Sequence, residues 1–167
     1  TQSKDFTSYS NHGTVYATST AIDEVYGSDR LGTSSSTMDF NGIDEYILIP
    51  DDSSLDLETA WSISAWVYRQ GTCDSGGYSK IVSKWENYFL ATDCTSSQDN
   101  FLYGCVGTGS GHVCNGTRDT PLPLNEWHFL NFIYSESTQQ ADLYLDGQIV
   151  HTVSSASVTG GTNYDLD

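Results

Sequence analysis

At 167 residues the chain is long enough for one domain with a substantial hydrophobic core and short for two. Twenty-two acidic residues against six basic ones give a formal net charge of -16, which argues against binding nucleic acid or an anionic membrane, because phosphates need basic partners. No apolar run approaches the roughly 18 residues of a membrane-spanning helix, and no membrane insertion is expected. The acids are dispersed along the chain, which reads first as a solvated surface and more sharply as divalent-cation binding.

In chain order, residues 1–37 are rich in Ser, Thr, Asn and Gly, and their low apolar content predicts a loop over a sheet edge with one short strand, Thr14-Val15-Tyr16-Ala17. Met38 to Ile49 alternates apolar and polar residues, with Met38, Phe40, Ile43, Tyr46 and Leu48 as inward positions and Gly42 interrupting the run. That pattern predicts two short strands around a turn or bulge, closed by the turn formers of Pro50 to Ser54. Ser62 to Tyr68 then places Ile63, Ala65 and Val67 on one face and Ser62, Ser64, Trp66 and Tyr68 on the other.

Beyond a loop holding Cys73, Ser79 to Trp85 is predicted to turn at Glu86-Asn87 into the strand Tyr88 to Thr92. A second hairpin pairs Phe101 to Val106 with His112 to Thr117 around a glycine-rich tip. Four cysteines permit three full pairings and match no CxxC zinc or redox spacing, so disulfides are the favoured use. On these hairpins Cys73 and Cys94 lie near one open end and Cys105 lies opposite Cys114, which predicts the bridges 73–94 and 105–114. Asn115-Gly116-Thr117 is a glycosylation sequon. Trp127 to Tyr134 reads as a strand buried on both faces, and Gln140–Leu145 with Gln148–Thr152 forms a hairpin around Asp146-Gly147.

The string Phe40-Asn41-Gly42-x-Asp44-x-Tyr46-Ile47-x-Ile49-Pro50, then Leu55-Asp56-Leu57, then Trp61-Ser62-Ile63-Ser64-Ala65-Trp66-Val67 resembles a laminin-G-like domain of the concanavalin A-like lectin/glucanase superfamily. Pro121 to His128 and Leu143-Tyr144-Leu145-Asp146-Gly147 resemble later strands of the same family. The resemblance implies an all-β fold, an antiparallel β-sandwich of jelly-roll type with two stacked sheets, as a single domain over residues 1–167. The family's first and last strands are expected to be missing from it, the residues Thr1 to Lys4 being too few and too polar to supply the first. Open strand edges would follow, completed by a second copy in a homo-oligomer or by another part of a longer parent.

The resemblance also frames the sites. A glucanase needs paired carboxylates on one strand face, whereas Asp44-Glu45 and Asp23-Glu24 are adjacent acids that any strand points to opposite faces, and no serine or cysteine nucleophile motif accompanies the histidines. No enzymatic activity is expected. A structural calcium, by family resemblance, would draw on Asp44 with Asn41, and on Asp29, Asp5 or Asn11 from the opening loops. Glycan would stack on aromatic rings; alternation offers Trp66, Tyr68, Trp85, Tyr103 and Tyr134, and the favoured candidates are Trp85, Tyr88, Tyr103 and Tyr68. Trp66 and Trp127 sit in family core motifs and are expected inside. The expected function is a non-catalytic extracellular or cell-surface recognition module, binding carbohydrate or mediating adhesion, with a structural or protein-interaction module lacking sugar affinity as the alternative; its partner is a glycan or a surface protein.

Overall fold

The structure is a computed structural model, and it describes residues 2–18, 26–71, 77–85, 87–93, 100–108, 111–114, 119–154 and 165–166. Cys73, Cys94, the acidic pair Asp23-Glu24 and the sequon Asn115-Gly116-Thr117 lie outside the described residues. The chain forms two compact units, Thr1–Asp52 with Asp165–Asp167, and Ser53–Tyr164.

The described residues of the first unit form five short strands, β1 (Gln2–Ser3), β2 (Gly13–Tyr16), β3 (Tyr26–Gly27), β4 (Thr37–Met38) and β5 (Tyr46–Leu48). β2 lies between β1 and β5, and β3 pairs with β4. The opening residues form a two-residue strand, with Gln2 opposite Thr14. Val15 is buried, and a side chain at Gly13 would run into Ile47 and Ile49, so this position needs its glycine for close packing. Near the other end of the sequence, Leu166 exchanges both backbone hydrogen bonds with Ile49.

The inward set expected from Met38 to Ile49 is corrected here. Phe40, Ile43 and Tyr46 are exposed, Ile43 at 85%. The physical reason is the turn between them. The Asn41 side-chain oxygen accepts the N–H groups of Ile43 and Asp44, and the strands on either side enter different sheets, β4 with β3 and β5 with β2. A period of two does not carry through such a break.

The second unit opens with a 3-10 turn at Ser53–Leu55 and continues through β6 (Ala60–Tyr68), β7 (Tyr78–Lys84), β8 (Tyr88–Asp93), β9 (Phe101–Gly107), β10 (His112–Cys114), β11 (Trp127–Ser135), β12 (Gln140–Leu145) and β13 (Gln148–Ser154). Two four-stranded sheets result, a hairpin sheet ordered β10-β9-β8-β7 and a meander sheet ordered β13-β12-β11-β6. Every pairing among the described strands is antiparallel. The all-β, sandwich-type class expected from the sequence is the one observed.

The two sheets meet through their inner faces. On the meander sheet these carry Trp61, Ile63, Ala65 and Val67 from β6, Leu130, Phe132 and Tyr134 from β11, and Ala141, Leu143 and Val153 from β12 and β13. Tyr88, Leu90, Leu102 and Val106 answer from the hairpin sheet, all buried. Gly104 permits the closest approach, since a Cβ there would sit 3.0 Å from the Phe132 ring. Trp61 is the tryptophan of this core, with ring centroids 5.3 Å from both Tyr88 and Phe132 and 5.6 Å from Tyr134.

Two expectations change. β11 is not buried on both faces: His128, Leu130, Phe132 and Tyr134 are buried, while the alternate residues lie half-buried and Ile133 is exposed. Trp66 and Trp127, both expected inside, lie on the outer face, Trp66 48% exposed and Trp127 half-buried, because β6 alternates strictly from Trp61 and β11 from His128, and both fall on the opposite parity.

Substitution checks this parity. Trp61→Ala is expected to lower unfolding free energy by about 3–5 kcal/mol, and Trp66→Ala by less than about 1 kcal/mol, both read from urea denaturation midpoints. Equal losses would contradict the assignment of faces.

Candidate functional site

Alternation along β8 sends Phe89, Ala91 and Asp93 to the outer face of the hairpin sheet, opposite Cys105, Tyr103 and Phe101 on β9. The short edge strand β10 adds His112 and Cys114 in register with Gly107 and Cys105. Cys105 and Cys114 are joined by a disulfide with a Cα separation of 4.1 Å, which confirms the expected 105–114 bridge and fastens β10 to the sheet.

On this face the aromatic rings form a connected row. Trp85, in the turn after β7, is 47% exposed and meets the His112 ring edge-on at 5.0 Å; His112 in turn meets Phe89 at 5.4 Å. Tyr103 stacks on Tyr78 at 5.1 Å with an interplanar angle of 13°, and both approach Phe89. The centre of the row is closed: Phe89, Ala91 and Cys105 form a small buried cluster with Tyr103 and Cys114 against it. Its open ends are Trp85 and Tyr78.

The four glycan candidates therefore separate. Trp85 and Tyr103 share the outer face of the hairpin sheet. Tyr68 stands on the outer face of the meander sheet, paired with Trp127 at 5.4 Å. Tyr88 is 2% exposed in the core against Trp61, its hydroxyl donating to the Leu55 carbonyl at 3.3 Å. Burial and then the charge of Asp56 push its phenol up to about 12. It cannot offer a ring to a ligand. Tyr78, His112 and Phe89 join the face without having been singled out in the sequence; the β7–β8 and β9–β10 registers are the signal that would have found them.

The cation candidates sit in self-contained turns. Asn41 uses its side-chain oxygen on two backbone N–H groups and donates to an Asp44 oxygen at 2.8 Å; the other Asp44 oxygen accepts from Thr18. Asp29 accepts the N–H groups of Leu31 and Thr33, and those of Thr33 and then Leu31 hold its carboxyl below the usual range. Asp5 does likewise with Thr7 and Asn11, its carboxyl lowered first by the Thr7 hydroxyl. Among the described residues no three His, Cys, Asp or Glu side chains converge on a common point. A hard cation takes about six to eight oxygens; in these turns the carboxylates of Asp44, Asp29 and Asp5 each accept from local N–H or O–H groups.

Further polar groups brace the second unit. Lys84 is fully buried on the inner side of the hairpin sheet and pairs with Asp56 at 3.3 Å. His128 donates from Nδ1 to Asp146 at 2.7 Å, Asp146 also accepts the N–H of Phe129 at 2.9 Å, and Glu126 lies 3.5 Å from Nε2. This set clamps the β12–β13 turn, where Asp146 and Gly147 both have positive φ, onto the start of β11. His151 is buried on β13 with Asp119 at 3.6 Å.

A model of the laminin G family, described as concanavalin A-like lectin/glucanases superfamily, matches residues 41–166. None of the curated proteins compared with the chain matches it at a significant level. The chain belongs to the concanavalin A-like lectin/glucanase superfamily, which supports a carbohydrate-binding or adhesion module at the level of the family.

Two of the braces give the fold an acid dependence with separable steps. The hydrogen bond from His128, then that from Phe129, lowers the Asp146 carboxyl, so its contribution is complete above the unfolded value of about 3.9 and is lost as pH falls through the lower folded value. Burial lowers the His151 imidazole, with Asp119 acting the other way. The unfolded chain then takes up that proton first, and stability declines as pH drops below about 6.5. Urea midpoints from about pH 8 to 3 should show both declines, with His151→Gln removing the upper one and Asp146→Asn reducing the lower, to which the lowered Asp5 and Asp29 carboxyls also contribute. A flat profile through the upper range would contradict the role given to His151.

Proposed function

We propose that the protein is a non-catalytic, extracellular glycan-recognition module, and that the Trp85 end of the hairpin sheet is its primary contact surface. The observation that carries this reading is the half-exposed Trp85 ring with His112 set edge-on against it, on a strand fastened by the Cys105–Cys114 bridge. A sugar ring gains by lying on an exposed aromatic whose orientation is already fixed, because little side-chain freedom remains to be lost on binding. Family membership supports carbohydrate binding or adhesion, and a cross-strand disulfide supports an oxidising, extracellular setting. The alternative, a structural or protein-interaction module, draws its support from the closed centre of the same aromatic row.

The test is a glycan array of short oligosaccharides, run with calcium and again with EDTA. Binding is expected in both buffers, because the proposed contact is made by the Trp85 ring, which needs no cation. Trp85→Ala is expected to weaken it about tenfold or more, or at least about 1.4 kcal/mol, with Tyr88→Phe leaving it unchanged. Absence of binding in both buffers would favour the structural or protein-interaction reading, and loss in EDTA alone would bring calcium back.

A further inference from the structure

The outer face of the meander sheet carries a second aromatic surface. β6 turns Trp66 and Tyr68 outward in alternate positions, 48% and 41% exposed, so their Cα atoms stand about 7 Å apart along the strand. Each is buttressed by its direct cross-strand partner on β11: Phe129 lies 5.3 Å from Trp66, and Trp127 lies 5.4 Å from Tyr68. The half-buried partners hold the exposed rings at set angles. One residue pair further along the same two strands, the aromatic rows give way to Asn131 and Ser64, hydrogen bonded at 3.1 Å.

Charge narrows what could lie there. The side chains that β6, β11, β12 and β13 turn outward include no Lys or Arg and a single carboxylate, Asp142, which already accepts from Gln140 at 2.8 Å and from Thr152 at 2.7 Å. An anionic polysaccharide would find no cation among the described outward side chains of these strands and a net charge of -16 behind them. A second copy would bring the same net charge against it. An uncharged polysaccharide meets neither obstacle: its ring faces match the two aromatics and its hydroxyls match the amide and hydroxyl row beyond them.

We infer that the outer face of the meander sheet is a second binding surface, for an uncharged polysaccharide chain, with Trp66 and Tyr68 as successive stacking positions. The inference shares its ligand class with the function proposed above but does not depend on the Trp85 surface.

The experiment is affinity gel electrophoresis of the whole chain through an uncharged soluble β-glucan and, in parallel, through a sulfated polysaccharide. The wild type should be retarded by the uncharged polymer alone, and the double variant Trp66→Ser with Tyr68→Ser should lose at least about nine-tenths of that affinity, a tenfold change. Should the double variant fold poorly, the wild type serves: among its four tryptophan indole N–H resonances, that of Trp66 should shift most when a glucan oligosaccharide is added. The inference fails if Trp85→Ala alone abolishes retardation, which leaves the proposed function standing, or if the wild type is not retarded. It also fails if the sulfated polymer retards the protein as strongly, or if light scattering shows a dimer that the double variant dissociates, making a second copy the occupant.

Discussion

The position of Trp61 in the core decides most of what the second unit presents to solvent. A strand has two faces and a period of two, so fixing one inward residue fixes the rest of that strand. Trp61 packs among Tyr88, Phe132 and Tyr134, which commits β6, β8 and β11 at once. Trp66 and Tyr68 are then outside on β6, Phe129 and Trp127 outside on β11, and Phe89 outside on β8. The close approach of Phe132 to Gly104 brings β9 into the same arrangement and leaves Tyr103 and Cys105 facing outward. The surfaces proposed for recognition are thus consequences of core packing.

The same logic explains what could be read in the sequence. Strands with unbroken alternation and strong turn chemistry were legible: the Ile63, Ala65, Val67 face of β6, and the β12–β13 hairpin whose Asp-Gly turn has positive φ at both residues. The 105–114 bridge followed from hairpin register. What failed was parity assigned by resemblance or across a break. Trp66 was placed inside on a family motif, although counting from Trp61 by twos excludes it. Phe40, Ile43 and Tyr46 were counted through the Asn41 turn into a strand of a different sheet.

Bulges set a further limit. The register of β7 on β8 slips between Lys80 and Val82, so Tyr78, which simple counting from Ser83 would put on the far side, shares a face with Phe89 and stacks on Tyr103. Nothing in the string from Tyr78 to Lys84 marks that extra residue. Tyr88 failed as a candidate for a related reason. As the first residue of β8, directly opposite Lys84, it was as plausible outside as Trp85, and only the pairing of Lys84 with Asp56 on the inner side shows which way this end of the hairpin is turned.

That buried ion pair also separates the two tasks the hairpin performs. A fully buried ammonium is costly unless a carboxylate meets it, and losing one partner of such a pair typically costs about 3–5 kcal/mol. Lys84 and Asp56 therefore hold the inner end of β7 to the segment after the 3-10 turn, and the next residue, Trp85, leaves the sheet from a fixed point. On the far side of the strand pair, β10 is only three residues long and lies at the sheet edge, where its pairing with β9 is supplemented by the disulfide. His112 thus reaches Trp85 from a covalently fastened strand. One ring is positioned by a buried charge pair and its neighbour by a covalent bond, so the edge-on contact between them does not have to stabilise itself. A recognition surface whose geometry is set from beneath can leave its rings exposed without losing their orientation, and that is the physical case for reading Trp85 as a contact and not as an unfilled part of the core.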